Sequence, residues 1–207
     1  MIALFITLAA LLVLAILLLI FYPRISRALM RKNFVRAYGK KIYKIALYND
    51  FYLINQVCLE SHDNQTANIN HLLFGNKYIY LITDYYFRGE LHAKENDNSW
   101  IYHPVDKKQK IRYIDNPLFI NHALVEEVSK ITGIDESLFI AVVVINTDCD
   151  VKGFESKNKT NFLVHINKLS KLVDTIENRD VSPLKDKSLY YAVQDIARLN
   201  LNKGNRR

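Results

Sequence analysis

Polar side chains that could do chemistry gather in one stretch, residues 69–91, INHLLFGNKYIYLITDYYFRGEL. It reads as two apolar strands, 69–74 and 77–83, with Gly75-Asn76 supplying the turn and Gly89 breaking the segment that follows. A hairpin of this kind could carry the acids of a metal-dependent nuclease, and the candidate polar positions in it are Asn70, Thr83, Asp84 and Tyr85. Hydrolysing a phosphodiester in that way requires Mg²⁺ held by hard anionic oxygens. The ion polarises the phosphate and generates the attacking hydroxide. Asn70 offers a neutral carbonyl, Thr83 a hydroxyl and Tyr85 a phenol, so the three supply no negative charge. Asp84 is the acid among them. Side chains alternate along a strand, so Thr83 and Tyr85 share one face and Asp84 takes the other, where it reads as a solvated acid at a strand end. A bulge that turned Asp84 inward, or Glu60 or Glu90 reaching across, would be the route to a surviving metal site.

Other constellations are sparse. The six histidines (62, 71, 92, 103, 122 and 165) have no i, i+4 pair and no cysteine partner at zinc spacing. His62-Asp63 reads as surface chemistry in a polar loop, and His71 as a hydrogen-bonded core residue. Cys58 alternates with apolar strand residues and reads as a core thiol. Cys149, between Asp148 and Asp150, has no basic sequence neighbour to activate it. Tyr78, Tyr80, Tyr85, Tyr86 and Phe87 fall within strands and read as sheet packing rather than as a stacking platform for bases. Lys107, Lys108, Lys110 and Arg112 are the one basic run of the globular part, read as a solvated edge strand with phosphate contact as the rival. No Gly-rich phosphate loop and no G-x-S-x-G elbow occurs.

These residues must be positioned by the elements around them. Residues 2–22 carry no charge, and at about 1.5 Å per residue they span the roughly 30 Å hydrocarbon layer. The run is long and ends in bulky Phe21-Tyr22, which points to an uncleaved anchor rather than a signal peptide. Arg24, Arg27, Arg31, Lys32, Arg36, Lys40 and Lys41 follow it, so the N-terminus is expected outside and the remainder in the cytoplasm. The chain holds 28 basic and 21 acidic residues. Removing those seven flanking charges leaves a neutral domain, so the basic pI reports the membrane-proximal flank rather than a nucleic-acid surface.

After Pro23, which interrupts, a basic amphipathic helix is expected over 26–48, with Phe34, Tyr38, Ile42 and Ile45 on its docking face. Strands follow at 51–59, in the hairpin, at Trp100–Tyr102 and over 107–114. Asn116-Pro117 opens a helix with the buried stripe Ile120, Leu124, Val128 and Ile131, and Gly133 ends it. The apolar run 138–145 reads as a central strand covered on both faces. A strand at 162–165 and helices over 166–176 and 189–199 complete the chain, with a frayed tail after residue 200. Expected boundaries are 1–23 for the anchor, 24–48 for the basic helix, 49–180 for an α/β domain and 181–207 for a terminal helix and tail. The fold class is α/β, one mixed central sheet flanked by helices, preceded by one transmembrane helix.

The ordered series Gly39, Ile69-Asn70-His71, Leu81-Ile82-Thr83-Asp84-Tyr85, Gly89, Trp100, Asn116-Pro117 and Asn121 resembles the nuclease-related domain (NERD) family, a branch of the restriction-endonuclease-like superfamily. The resemblance covers residues 36–178. It implies a restriction-endonuclease-like sheet and helices, and it puts the family's chemistry at four positions. An acid after Gly39 would fall at Lys40, the metal-binding aspartate at Asn70, and the glutamate and lysine of a Glu-x-Lys pair at Thr83 and Tyr85. The family's helix glutamine would fall near Ile120. All are replaced while the scaffold residues remain. The expectation is a membrane-anchored, catalytically degenerate domain with no cofactor, engaging the bilayer through residues 2–22 and the basic residues 24–41 and binding a protein partner. A Mg²⁺-dependent nuclease using Asp84, or a non-catalytic nucleic-acid binder, are the alternatives.

Overall fold

The computed structural model describes residues 2–60, 66–106 and 109–202, with the side chains of residues 2–11, 14, 23, 24, 27 and 30 outside that set. Two compact units divide the chain, Met1–Ala37 and Tyr38–Arg207. One helix, α1 (Ile2–Asn49), runs across the division, and its single non-helical residue is Asn33 (φ −125°, ψ 25°). The backbone stays helical through position 23, so Pro23 does not mark a helix start and the expected beginning at 26 is corrected. The anchor expected at 2–22 falls largely on undescribed side chains. Among the described residues, no helix is long and apolar enough to cross a membrane.

The larger unit is α/β. Its elements are β1 (Tyr52–Glu60), β2 (Thr66–Phe74), β3 (Ile79–Asp84), β4 (Gly89–His92), β5 (Ser99–Pro104), β6 (Arg112–Asp115) and α2 (Pro117–Thr132), then a 3₁₀ turn (Glu136–Leu138). They continue through β7 (Phe139–Ile145), β8 (Cys149–Lys152), β9 (Asn161–His165), α3 (Leu169–Glu177) and α4 (Asp186–Leu199). The single central sheet expected from the sequence is replaced by two mixed sheets, ordered β1-β2-β3-β7-β9 and β6-β5-β4-β8. The reason is a shared bend. Parallel β3 and β7 both leave the first sheet after their last residues, and the chain continues as parallel β4 and β8 in the second. Across the bend the two segments stay bonded, Tyr85 N donating to Val144 O (2.8 Å) and Phe87 N to the Asn146 side chain (2.8 Å).

All seven residues of β7 are buried, as a doubly covered central strand requires. On one face, Ile79, Leu81, Phe139 and Ala141 pack with Val125 and Val128 of α2 and with Val193 and Ile196 of α4. Asn116 caps α2 by accepting from Leu118 N, and its amide donates to Glu95 O and Asp97 O. Pro117 follows at the position where a missing N–H is harmless. Of the expected stripe, Val128 is buried and Leu124 and Ile131 pack partly buried against the core, but Ile120 is 40% exposed, and Leu118, Asn121 and Val125 complete the inward face. The tail begins later than expected, since Leu201 N donates to Cys58 O and Asn202 to Gln56 O along the outer edge of β1.

The β2–β3 connection uses four residues, 75–78, rather than a two-residue turn, with Phe74 opposite Ile79 and Gly75 N donating to Tyr78 O. Glu177 of α3 caps it, accepting from Asn76 N and Lys77 N (both 3.1 Å) and from the Tyr80 hydroxyl (2.6 Å). A side chain at Gly75 would collide with that carboxylate. Burial, then the bond to Glu177, pushes the Tyr80 phenol up.

Gly89 starts β4 at φ +138°, and an added Cβ would run into the carbonyl oxygen of His103 and lie 2.9 Å from Val105 N. Gly133, at φ +71°, has nothing within 4 Å of such an atom. Gly89→Ala is expected to destabilise the domain by about 3 kcal/mol, through strain plus a backbone clash. Gly133→Ala should lose about 1 kcal/mol, through strain alone. Denaturant unfolding followed by the fluorescence of buried Trp100 measures both.

Candidate functional site

The register of β1 on β2 skips Gln56 and Asn70, where Gln56 adopts φ +54°. The pleat changes phase there. Leu72 and Phe74 face the same core cluster as Ala67 and Ile69, although the pairs differ in parity. His71 is therefore turned to the opposite face, the one to which alternation assigns Asp84. There the two meet. His71 Nε2 lies 2.9 Å from Asp84 Oδ2, and the side chains are 3% and 0% exposed. His71 Nδ1 lies 2.6 Å from Asn55 Oδ1. A relay thus runs from exposed Asn55 through His71 to a carboxyl sealed from water.

Asp84 is not the solvated strand-end acid expected from the sequence. Alternation gave its face correctly, but that face is covered. α1 lies against it, with the Gly39 Cα so close that an added Cβ would sit 3.3 Å from His71 Cε1. Tyr38 stands beside the pair and its hydroxyl donates to Tyr85 O (3.4 Å). Burial, then the Asp84 charge, pushes the Tyr38 phenol up. Burial likewise raises Asp84 above the ordinary carboxyl range, with the His71 hydrogen bond pulling the other way.

Proton counting limits the states of the relay. In the assigned amide orientation Asn55 Oδ1 accepts, so Nδ1 carries a proton. Nε2 then either donates to a charged Asp84 or accepts from a protonated one. Both arrangements leave the pair neutral overall, which is what a dry site favours.

The other sequence-predicted positions are dispersed or engaged. Asn70 accepts from Asp84 N (3.1 Å), so its side chain carries the β2–β3 ladder one step past the phase change. Thr83, buried on the α2 face, donates to Asn121 (2.7 Å). Tyr85 is half-buried and stacks on Phe87 at 5.9 Å, and burial, then Asp115, raises its phenol. Lys40 is exposed on α1, and Ile120 is exposed on α2. Glu60 is exposed at the far end of β1, five residues and about 16 Å from Asn55. Glu90 is exposed and lies 3.4 Å from His92 Nε2 in the second sheet. Among the described residues, no three His, Cys, Asp or Glu side chains converge as metal ligands.

Lys107, Lys108, His62 and Asp63 lie outside the described residues, whereas Lys110 and Arg112 are exposed, with Arg112 on the edge strand β6. Cys149 is buried, its thiol pushed up to about 12 by burial and then by Asp150. Cys58 is only half-buried. Sequence reasoning missed Asn55 and Asn146. Asn55 has no distinguishing pattern, and Asn146 is visible only as the polar residue ending the apolar run 138–145. Asp84 Oδ1 and Asn146 Nδ2, at the carboxyl ends of adjacent parallel strands, have no bonding partner among the described residues.

No protein-family model and no curated protein matches this chain. Among solved structures, the crystal structure of a protein of unknown function, AF1548, is similar at 9% identity and a TM-score of 0.36, over 78% of this chain and 80% of that one.

A raised Asp84 contributes stability that is fully present below its unfolded value of about 3.9 and lost as pH rises through the folded value. Asp84→Asn keeps the shape, and its amide can donate to Nε2. It is expected to be at least as stable as wild type at pH 7–8 and to flatten the pH dependence. Asp84→Ala strands Nε2 in the interior and should lose about 2–3 kcal/mol at the acid end. The deficit shrinks as pH rises through the folded Asp84 value and wild type loses stability too. Urea unfolding between pH 4 and 8 separates the three proteins.

Proposed function

We propose that this chain is a membrane-anchored binding module on a nuclease-like scaffold, of the NERD type within the restriction-endonuclease-like group, in which the hydrolytic position has become structural. One observation carries the reading: the carboxyl of Asp84 is buried and bonded to His71. The groups around it are engaged as well, Asn70 with the Asp84 N–H and Thr83 with Asn121. A Mg²⁺ ion working on phosphate needs hard anionic oxygens beside water and substrate. Asn70, Thr83 and Tyr85 offer none, and Asp84 is turned to the covered face. A protein partner near the membrane, engaged through the domain surface, is the corresponding role.

The anchor half of the proposal rests on the uncharged segment 2–22, its helical backbone, and the exposure of its described apolar side chains, from 45% at Leu17 to 75% at Leu19. Such a run left in water is unfavourable, and a bilayer removes the penalty. The basic residues 24–41 after it favour an outside N-terminus and a cytoplasmic domain.

Detergent-purified full-length protein, incubated with single- and double-stranded DNA and with RNA in Mg²⁺ or Mn²⁺, is expected to cleave none of them above buffer controls. Cleavage that Asp84→Ala abolishes would overturn the proposal in favour of a nuclease with a relocated acid.

A further inference from the structure

Residues 38–49 of α1 have two faces of opposite use. Tyr38, Ile42, Ile45 and Ala46 are buried within the α/β unit. On the opposite side, spaced by three and four residues, stand Lys40, Lys44, Leu47 and Tyr48, flanked by Lys41 and Tyr43. The apolar members are strongly exposed: Tyr43 by 57%, Leu47 by 64% and Tyr48 by 83%. None of the three lysines has an acidic partner among the described residues. From Arg24 to Asn49 the sequence contains no acid at all.

We infer that this outward face docks on an anionic lipid surface. The occupant follows from chemistry. Point-charge ammonium groups on flexible stems, interleaved with amphipathic tyrosines and one leucine, match the charged headgroup layer and the shallow apolar zone beneath it. Its inner face is already used by the domain core, so the helix cannot insert further and must lie on the surface. The inference rests on the anchor reading, because residues 2–22 bring a bilayer to the same chain. It goes further in naming lipid charge as what the helix recognises. Docking would hold the α/β unit against the membrane in anionic regions and release it in neutral ones.

The test uses the full chain carrying Tyr48→Trp, reconstituted in vesicles whose lipids bear brominated acyl chains. Trp100 is fully buried and supplies a constant background. Quenching at position 48 is expected in vesicles with about one-third phosphatidylglycerol. It should fall to the phosphatidylcholine level in high salt and in K40Q/K41Q/K44Q, where the docked-to-undocked ratio drops about a hundredfold. An unchanged circular dichroism spectrum shows that the triple variant is folded. Equal quenching in neutral and anionic vesicles overturns the inference, as does protection of the face by a duplex oligonucleotide instead of lipid. An alkaline wash reads the anchor separately. If the chain is stripped from vesicles, the anchor reading falls, and salt-sensitive flotation with anionic vesicles then decides the docking face alone.

Discussion

The bond between Asp84 and His71 is the constraint around which the α/β unit is arranged. A carboxyl with a fully buried side chain is unfavourable by several kcal/mol unless it is neutralised and bonded. His71 does both only if β2 and β3 keep one register, if the pleat of β2 changes phase at Asn70, and if α1 descends closely enough to exclude water. Gly39 permits that descent, and Gln56, in a left-handed conformation, accommodates the phase change. A slip of one residue in either strand would leave a buried acid facing apolar side chains, so the pair selects against misregistered sheets.

The second organising feature is the bend that turns β3 into β4 and β7 into β8. Because the two connections run side by side, bonds cross the bend without a gap, with the Asn146 side chain standing in for a strand carbonyl at Phe87. The same bend leaves Asp84 and Asn146 at neighbouring strand ends, a place where open α/β sheets commonly bind ligands. Here α1 covers the Asp84 side, with Gly39 against His71 and the Tyr38 hydroxyl on Tyr85 O.

Much of this architecture was legible in the sequence. The apolar run 138–145 gave β7 because only a doubly covered strand is apolar at every position, and Asn116-Pro117 gave the start of α2 because both residues solve the helix N-terminus chemically. What was hidden depended on distant partners. Strand alternation placed Asp84 opposite Thr83, but nothing local says that α1 covers that side. The bend is written in no motif, since it arises from two strands breaking together, and β8 has too few residues to show a period. Gly75-Asn76 suggested a two-residue turn, yet the longer loop wins because Glu177, about a hundred residues away, caps its amides. Position 23 stays helical although its residue predicts a break, and the structure offers no local reason for it. That Asn70, Thr83 and Tyr85 carry no carboxylate or amine was readable at once, because residue identity needs no structure to establish.

The most direct measurement is nuclear magnetic resonance of the His71 ring nitrogens in the full-length protein, titrated with Mg²⁺ and then Mn²⁺. If Asp84 is a structural partner of His71, Nδ1 stays protonated toward Asn55, the Nε2 signal keeps its hydrogen-bonded shift, and neither cation perturbs them. Saturable shifts with Mg²⁺, with selective broadening of the same signals by Mn²⁺ that Asp84→Asn removes, would show a cation on that carboxyl and contradict the structural assignment.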